Sequence, residues 1–415
     1  MTGKKKKSRM KIALVVMVLA VAVAGIAALT LEYYTNNSFL ALNGQRNITV
    51  GLNGLYEEPG AKAELAGFDV SDRVKIDGEV DVTKPGEYKL TYSCGNFEMT
   101  RTVTVLDRMS PVLELEGDLK INMTLGDKFE EPGYHAEDED GNDLTAQVEI
   151  TDNDFNRAGM HNVTYSVTDS KGKTTQLIRK VKIKPNKNLD TPGLPICMFH
   201  YVYDEKNPPD DLYDRWGNYI GQRALTEEIN WLKSENYYFP TWEEVRAYVE
   251  GELILPEKSV VLTFDDCTQS FLDYGIPVME KTQVPATSFV ITSKDGERKV
   301  RDYQSDYIYF ESHSHDMHHG GGNIGHGGIF TAISHEDGMA DLNKSIDILG
   351  SHDAFAYPYG DVNKSSEDMV KEAGFLCAVT TQPGKAKPGD DPYRLPRQRM
   401  SLDQTLKEFQ NKVKP

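Results

Sequence analysis

The 415-residue chain is too long for one ordinary domain, and its 39% hydrophobic and 27% charged content fits soluble domains with real cores. A net charge of −18 argues against a nucleic-acid surface, because phosphate recognition needs clustered Lys and Arg. Residues 1–11 hold six basic residues, Lys4 to Lys7, Arg9 and Lys11, and no acid, so the remainder is more acidic still.

Residues 12–31, IALVVMVLAVAVAGIAALTL, hold no charge. A helix of that length reaches about 30 Å, the thickness of a bilayer's hydrocarbon core. With the basic tail 1–11 before it, the segment predicts a transmembrane signal-anchor in the cell membrane, a cytoplasmic N-terminus and an extracellular remainder. A cleaved signal peptide is the alternative, since Ala22-Val23-Ala24 resembles a small-residue cleavage site. The four cysteines, Cys94, Cys197, Cys267 and Cys377, show no CxxC or zinc-ribbon spacing and read as free, semi-buried small hydrophobes.

A repeat follows. YEEPGAKAE recurs as FEEPGYHAE, and KPGEYKLTYS as RAGMHNVTYS, so that Pro132 answers Pro59 and Tyr165 answers Tyr92. Short alternating runs punctuated by Gly, Pro, Asn and Asp predict two small antiparallel sandwiches, over 46–108 and 111–184. Both copies resemble the bacterial immunoglobulin-like modules of exported surface proteins, most clearly in VTYSVTDSKGKTTQLIRKVKI. No ligand constellation is visible in them, which suits a stalk; binding of a wall polymer is the other reading.

After a Pro/Asn/Gly linker at 185–195 the texture changes. Strand-like runs such as PICMFHYV, SVVLTFDD, PATSFVIT and AFAYPYG alternate with helical stretches such as ALTEEINWLKSENY and SSEDMVKEAGF. This alternation over 196–415 predicts a parallel sheet or β/α barrel, with polar residues after each strand gathered at the active end. The fold class is therefore multidomain: a transmembrane helix, two all-β modules and a C-terminal α/β domain.

Three stretches of that domain carry chemistry. SVVLTFDDC ends a strand in Asp265 and Asp266, whose side chains diverge, so one can hold a metal while the other faces substrate or water. An Asp-rich helix cap is the plainer reading. SHSHDMHHGGG follows the strand YIYFES, and two histidines with one carboxylate leave a metal position open for water. AFAYPYGD gives a rigid turn whose backbone N–H groups can face a developing oxyanion.

In order, TFDD, ESHSHDMHH, FAYPYGD and DPYRLPR resemble the polysaccharide deacetylase family, in the branch that includes poly-N-acetylglucosamine deacetylases. The resemblance covers roughly 195–403. It implies a distorted (β/α) barrel and metal-dependent removal of acetyl groups from an N-acetylated polysaccharide, with a divalent cation, Zn2+ foremost and Co2+, Ni2+ or Fe2+ as alternatives. It further implies Asp265 as general base and Asp266, His313 and His318 as ligands, with the Tyr359 backbone N–H at the oxyanion. His315/His319 is the competing histidine pair. Three departures stand out. Cys267 replaces the usual Gly; Ala356 replaces the usual arginine, whose role Arg397 can take; the late Leu-His motif is missing. His200, on the first strand, is then either the general acid or a satisfied strand-end histidine. The expected protein is an anchored extracellular N-deacetylase of peptidoglycan or poly-N-acetylglucosamine. An inactive glycan-binding protein and an O-acetyl esterase on xylan or wall polymer are the alternatives.

Overall fold

The computed structural model describes residues 38–415 except 53, 107–110, 153 and 216. The transmembrane helix expected over 12–31 is not borne out: among the described residues no helix is long and apolar enough to cross a membrane. The longest of them, His335–Leu349, has 15 residues, about 22 Å of rise, and is largely polar. Residues 1–31 themselves lie outside the described residues.

The first repeat folds as two sheets. One runs in the order Asn47–Gly51, Phe97–Leu106, Gly86–Cys94, Lys75–Asp77; the other joins Phe39–Leu42, Ala61–Leu65 and Phe68–Asp69. Period-two patterning decides which face goes inward: Leu90, Tyr92 and Cys94 are buried, and so are Arg101, Val103 and Val105 on the neighbouring strand. An arginine in that row needs a partner, and Glu58 supplies it, accepting from Arg101 Nη1 and from the Tyr92 hydroxyl. The second repeat uses the same device. Arg179, fully buried, donates to the Tyr165 hydroxyl at 3.1 Å and to Glu131 at 3.3 Å. Thus the repeated EEPG segment supplies the carboxylate that makes a buried arginine tolerable in each copy.

The C-terminal domain is a closed barrel of seven parallel strands: β1 (Ile196–Phe199), β2 (Val261–Phe264), β3 (Ala286–Val290), β4 (Ile308–Ser312), β5 (Ala354–Ala356), β6 (Cys377–Pro383) and β7 (Leu395–Arg399). Pairing of Cys197 with Gln398 closes it. Around it lie α1 (Gln222–Ser234), α2 (Trp242–Val249), α3 (Ile276–Thr282), α4 (Gly296–Asp302), α5 (His335–Leu349), α6 (Lys364–Glu372) and α7 (Leu406–Val413). Helix α1 buries Leu225, Ile229 and Leu232, positions spaced to share one helical face, each worth about 1.5–3 kcal/mol. Thr241 starts α2 and Thr405 starts α7 with reciprocal capping boxes to Glu244 and Glu408. All four cysteines are free and buried.

Candidate active site and metal centre

The site sits where the strands end. The Asp265 backbone N–H donates to Phe199 O at 2.9 Å, extending the ladder one residue past β2. The chain then turns sharply, with Asp266 at φ 68° and Cys267 at φ 44°. This sends the two carboxylates apart. Asp265 points into the barrel and is 3% exposed; Asp266 faces outward toward the histidine turn after β4.

Arg397 on β7 takes both oxygens of Asp265, Nη1 to Oδ1 and Nη2 to Oδ2, each at 2.7 Å. Its Nε donates to Thr380 O at 2.8 Å, so the guanidinium is fixed from two sides. Burial alone pushes the Asp265 carboxyl up, but the charge and hydrogen bonds of Arg397 outweigh it and hold the group well below the usual carboxylate range. His200, just past β1, places Nε2 3.9 Å from Asp265 Oδ2. Its Nδ1 is buried without a hydrogen-bond partner among the described residues. Burial lowers the His200 pKa despite the two nearby aspartates.

Opposite lies the triad Asp266, His313 and His318, whose ligand-type atoms all fall within 4.8 Å of one another. Asp266 Oδ1 is 3.6 Å from His313 Nε2 and 3.5 Å from His318 Nε2. The Nδ1 of His313 lies 2.7 Å from Ala356 O; a carbonyl accepts only, so that nitrogen carries the proton and Nε2 presents its lone pair to the cluster. Burial and the adjacent His313 ring hold His318 well below the ordinary imidazole value, which keeps its lone pair available too. Two imidazole nitrogens and a carboxylate converging from one side form a donor set that fits a divalent cation.

His315 and His319 turn elsewhere. His315 Nδ1 pairs with Thr292 Oγ1 at 3.0 Å, and His319 Nδ1 with Gly320 O at 2.8 Å. Tyr359 sits at φ 61° in the Pro358–Gly360 turn, and its ring centroid lies 4.5 Å from that of His318. Gly360 is required there, since at φ 75° an added Cβ would lie 2.1 Å from Thr381 Oγ1. Asp265, Asp266, His200, His313, His318 and Tyr359 line a cleft of about 330 Å³, which also carries Tyr201 with the Arg215 guanidinium 5.4 Å above its ring. The cleft therefore offers three carboxylates, three imidazoles and aromatic faces, a combination suited to a sugar.

Sequence reasoning missed several residues that hold these groups. Both Asp341 carboxylate oxygens accept at 2.7 Å from the backbone N–H groups of His315 and Asp316, pinning the turn between the two candidate ligands. Asp361 accepts at 2.9 Å from the N–H groups of His326 and Gly328, fastening the glycine loop to the Tyr359 turn. Asp361 was within reach of the sequence, as it directly follows the quoted YPYG; Asp341, on α5, gave no signal.

Comparison with known proteins matches the sequence to a family. The polysaccharide deacetylase profile matches residues 254–378, and the profile described as bacterial surface protein, Ig-like domain, matches 40–105 and 113–183. A poly-beta-1,6-N-acetyl-D-glucosamine N-deacetylase of Staphylococcus epidermidis is 32% identical over 201 residues, 44% of this chain and 68% of that protein. Its Staphylococcus aureus counterpart is 29% identical over the same shares. Among solved structures, a Streptococcus pyogenes deacetylase in complex with acetate is 21% identical with a TM-score of 0.47, covering 55% of this chain and 100% of that one. The chain belongs to the polysaccharide deacetylase family, hydrolases of non-peptide carbon–nitrogen bonds, and carries two bacterial surface Ig-like domains ahead of its deacetylase domain.

Proposed function

We propose that this protein is a metal-dependent N-deacetylase of N-acetylglucosamine polymers at the cell surface, with poly-β-1,6-N-acetylglucosamine the favoured substrate. The observation that carries the reading is the convergence of Asp266, His313 and His318 opposite an Asp265 clamped by Arg397. The names of the curated relatives support the substrate, and the surface Ig-like domains support the location. A cation held by the triad, Zn2+ by donor type with Co2+, Ni2+ or Fe2+ as alternatives, supplies Lewis acidity at the acetamide carbonyl and brings a water's pKa toward about 7.

The chain's own residues do the rest. Arg397 keeps Asp265 ionised and oriented, so its carboxylate accepts the proton of the attacking water. The Tyr359 backbone N–H, presented by the left-handed turn, faces the developing oxyanion. His200, whose Nε2 lies 3.9 Å from Asp265 Oδ2, delivers to the leaving nitrogen the proton that Asp265 takes from water. Water and acetamide thus give acetate and a free amine.

The test is acetate release by the full chain from β-1,6-linked N-acetylglucosamine oligomers, peptidoglycan and acetylxylan in parallel. Release from the oligomers, lost in Asp265→Asn, is the expected result. Release from acetylxylan alone would replace the amide reading with an ester one, and binding without release from any substrate would mean an inactive glycan-binding protein.

A further inference from the structure

Two consecutive non-glycine residues in the left-handed region, Asp266 and Cys267, form the turn that separates the catalytic carboxylates. Aspartate enters that region more readily than most residues, but nothing in the Cys267 side chain favours it, and Cys267 is fully buried in the hydrophobic core. Something outside the turn must hold it.

The group in place is Lys299, on α4. Its side chain is 8% exposed, and its Nζ donates to Cys267 O at 2.7 Å. The segment leading into α4 also grips the other half of the site. Thr292 N donates to Ser314 O at 3.1 Å, Ser293 N to His315 O at 2.9 Å, and Thr292 Oγ1 meets His315 Nδ1 at 3.0 Å. Gly296 lets α4 close tightly on that segment, since a Cβ there would lie 2.9 Å from Thr292 Cβ. Residues 292–299 therefore touch the aspartate turn at one end and the histidine turn at the other.

We propose that Lys299 is a positioning residue for the metal centre: by binding the Cys267 carbonyl it holds the left-handed turn and sets Asp266 against His313 and His318. This rests on the reading of those three residues as ligands. Lys299 reaches no reacting atom. It acts by fixing the spacing of a donor set whose two halves come from different strand ends.

The experiment compares K299M, K299R, C267G, C267A and the doubles C267G/K299M and C267A/K299M as full chains, with D266A as reference. Zn2+ affinity is read by competition with a chromogenic chelator, thermal melting in excess chelator, and kcat and KM for acetate release. K299M is expected to weaken Zn2+ binding by roughly 10- to 100-fold and to lower kcat more than it raises KM. Glycine tolerates φ 44° without strain, so C267G/K299M should regain most of that affinity, whereas C267A/K299M should not. Should K299M fail to fold, K299R decides, because it keeps a donor of different reach and is expected to retain the fold with weakened Zn2+ binding. Wild-type Zn2+ affinity in K299M or K299R would overturn the proposal, as would equal rescue by C267A and C267G. If D266A also binds Zn2+ normally, the metal-centre reading itself falls; if D266A weakens binding while K299M does not, only the role of Lys299 falls.

Discussion

Replacing Arg397 with Met removes the partner of a carboxylate that has almost no access to water. Asp265 is 3% exposed and both its oxygens are taken by Arg397, which is itself 1% exposed. Breaking such a pair leaves a buried, uncompensated charge, at a cost of about 3–5 kcal/mol. Removing both charges costs far less, because no group is then left unpaired. We therefore expect R397M to lose about 3–5 kcal/mol at pH 7 in urea denaturation, and R397M/D265L to recover most of it. The pH dependence has a defined sign. Asp265 is held below its ordinary value of 3.8, so the pair's contribution is present above that pH and fades as pH falls through the lower, folded-state value. The gap between wild type and R397M should thus be full at pH 7 and shrink on acidification. A loss under about 1 kcal/mol, or no recovery in the double variant, would refute the claim that the pair is desolvated and mutually dependent.

Among the histidines, His318→Ala and His313→Ala should each weaken Zn2+ binding by more than about 100-fold, while His315→Ala, losing only its Thr292 contact, should stay within a few-fold in the same calorimetric titration. Gly360→Ala should cut acetate release by roughly 10²–10³, because the added Cβ strikes Thr381 and displaces the Tyr359 turn; a variant of normal kcat would remove Tyr359 from the oxyanion site. Glu228 on α1 is 2% exposed, and burial raises its pKa to about 8 against 4.5 in the open chain. The folded state then keeps a proton that the unfolded state has lost, so stability falls as pH rises from 4.5 to 8, by at most about 5 kcal/mol. Glu228→Gln should flatten that fall in urea melts from pH 5 to 8.5, and parallel profiles for the two proteins would contradict the assignment.

What could be read in the sequence was local. TFDD, ESH and YPYG each end a strand, and parallel barrel strands carry their terminal residues to one rim, where the roles implied by the family resemblance could be placed. The pair His313 and His318 came from the family resemblance, with His315/His319 in competition, and the structure buries Met317, between them, in the core. The thiol of Cys267 packs inward rather than obstructing the cleft, a choice set by a backbone turn that the sequence does not display. Residues that brace the site from a distance stayed hidden. Lys299 meets a carbonyl 32 residues away and Asp341 an N–H 26 residues away, and such pairings depend on how helices dock on the barrel. The apolar run at 12–31 matched a bilayer in length but lies outside the described residues, among which no helix is long and apolar enough to cross a membrane.

The most direct test is a metal titration of chelator-stripped full chain, reading acetate released from β-1,6-linked N-acetylglucosamine oligomers at each addition of Zn2+. Activity should be absent without metal, rise to saturation at one ion per chain, and fail to appear in Asp266→Ala at the same concentrations. Undiminished acetate release from the stripped protein, or equal activation of Asp266→Ala, would contradict the metal centre on which the proposed mechanism depends.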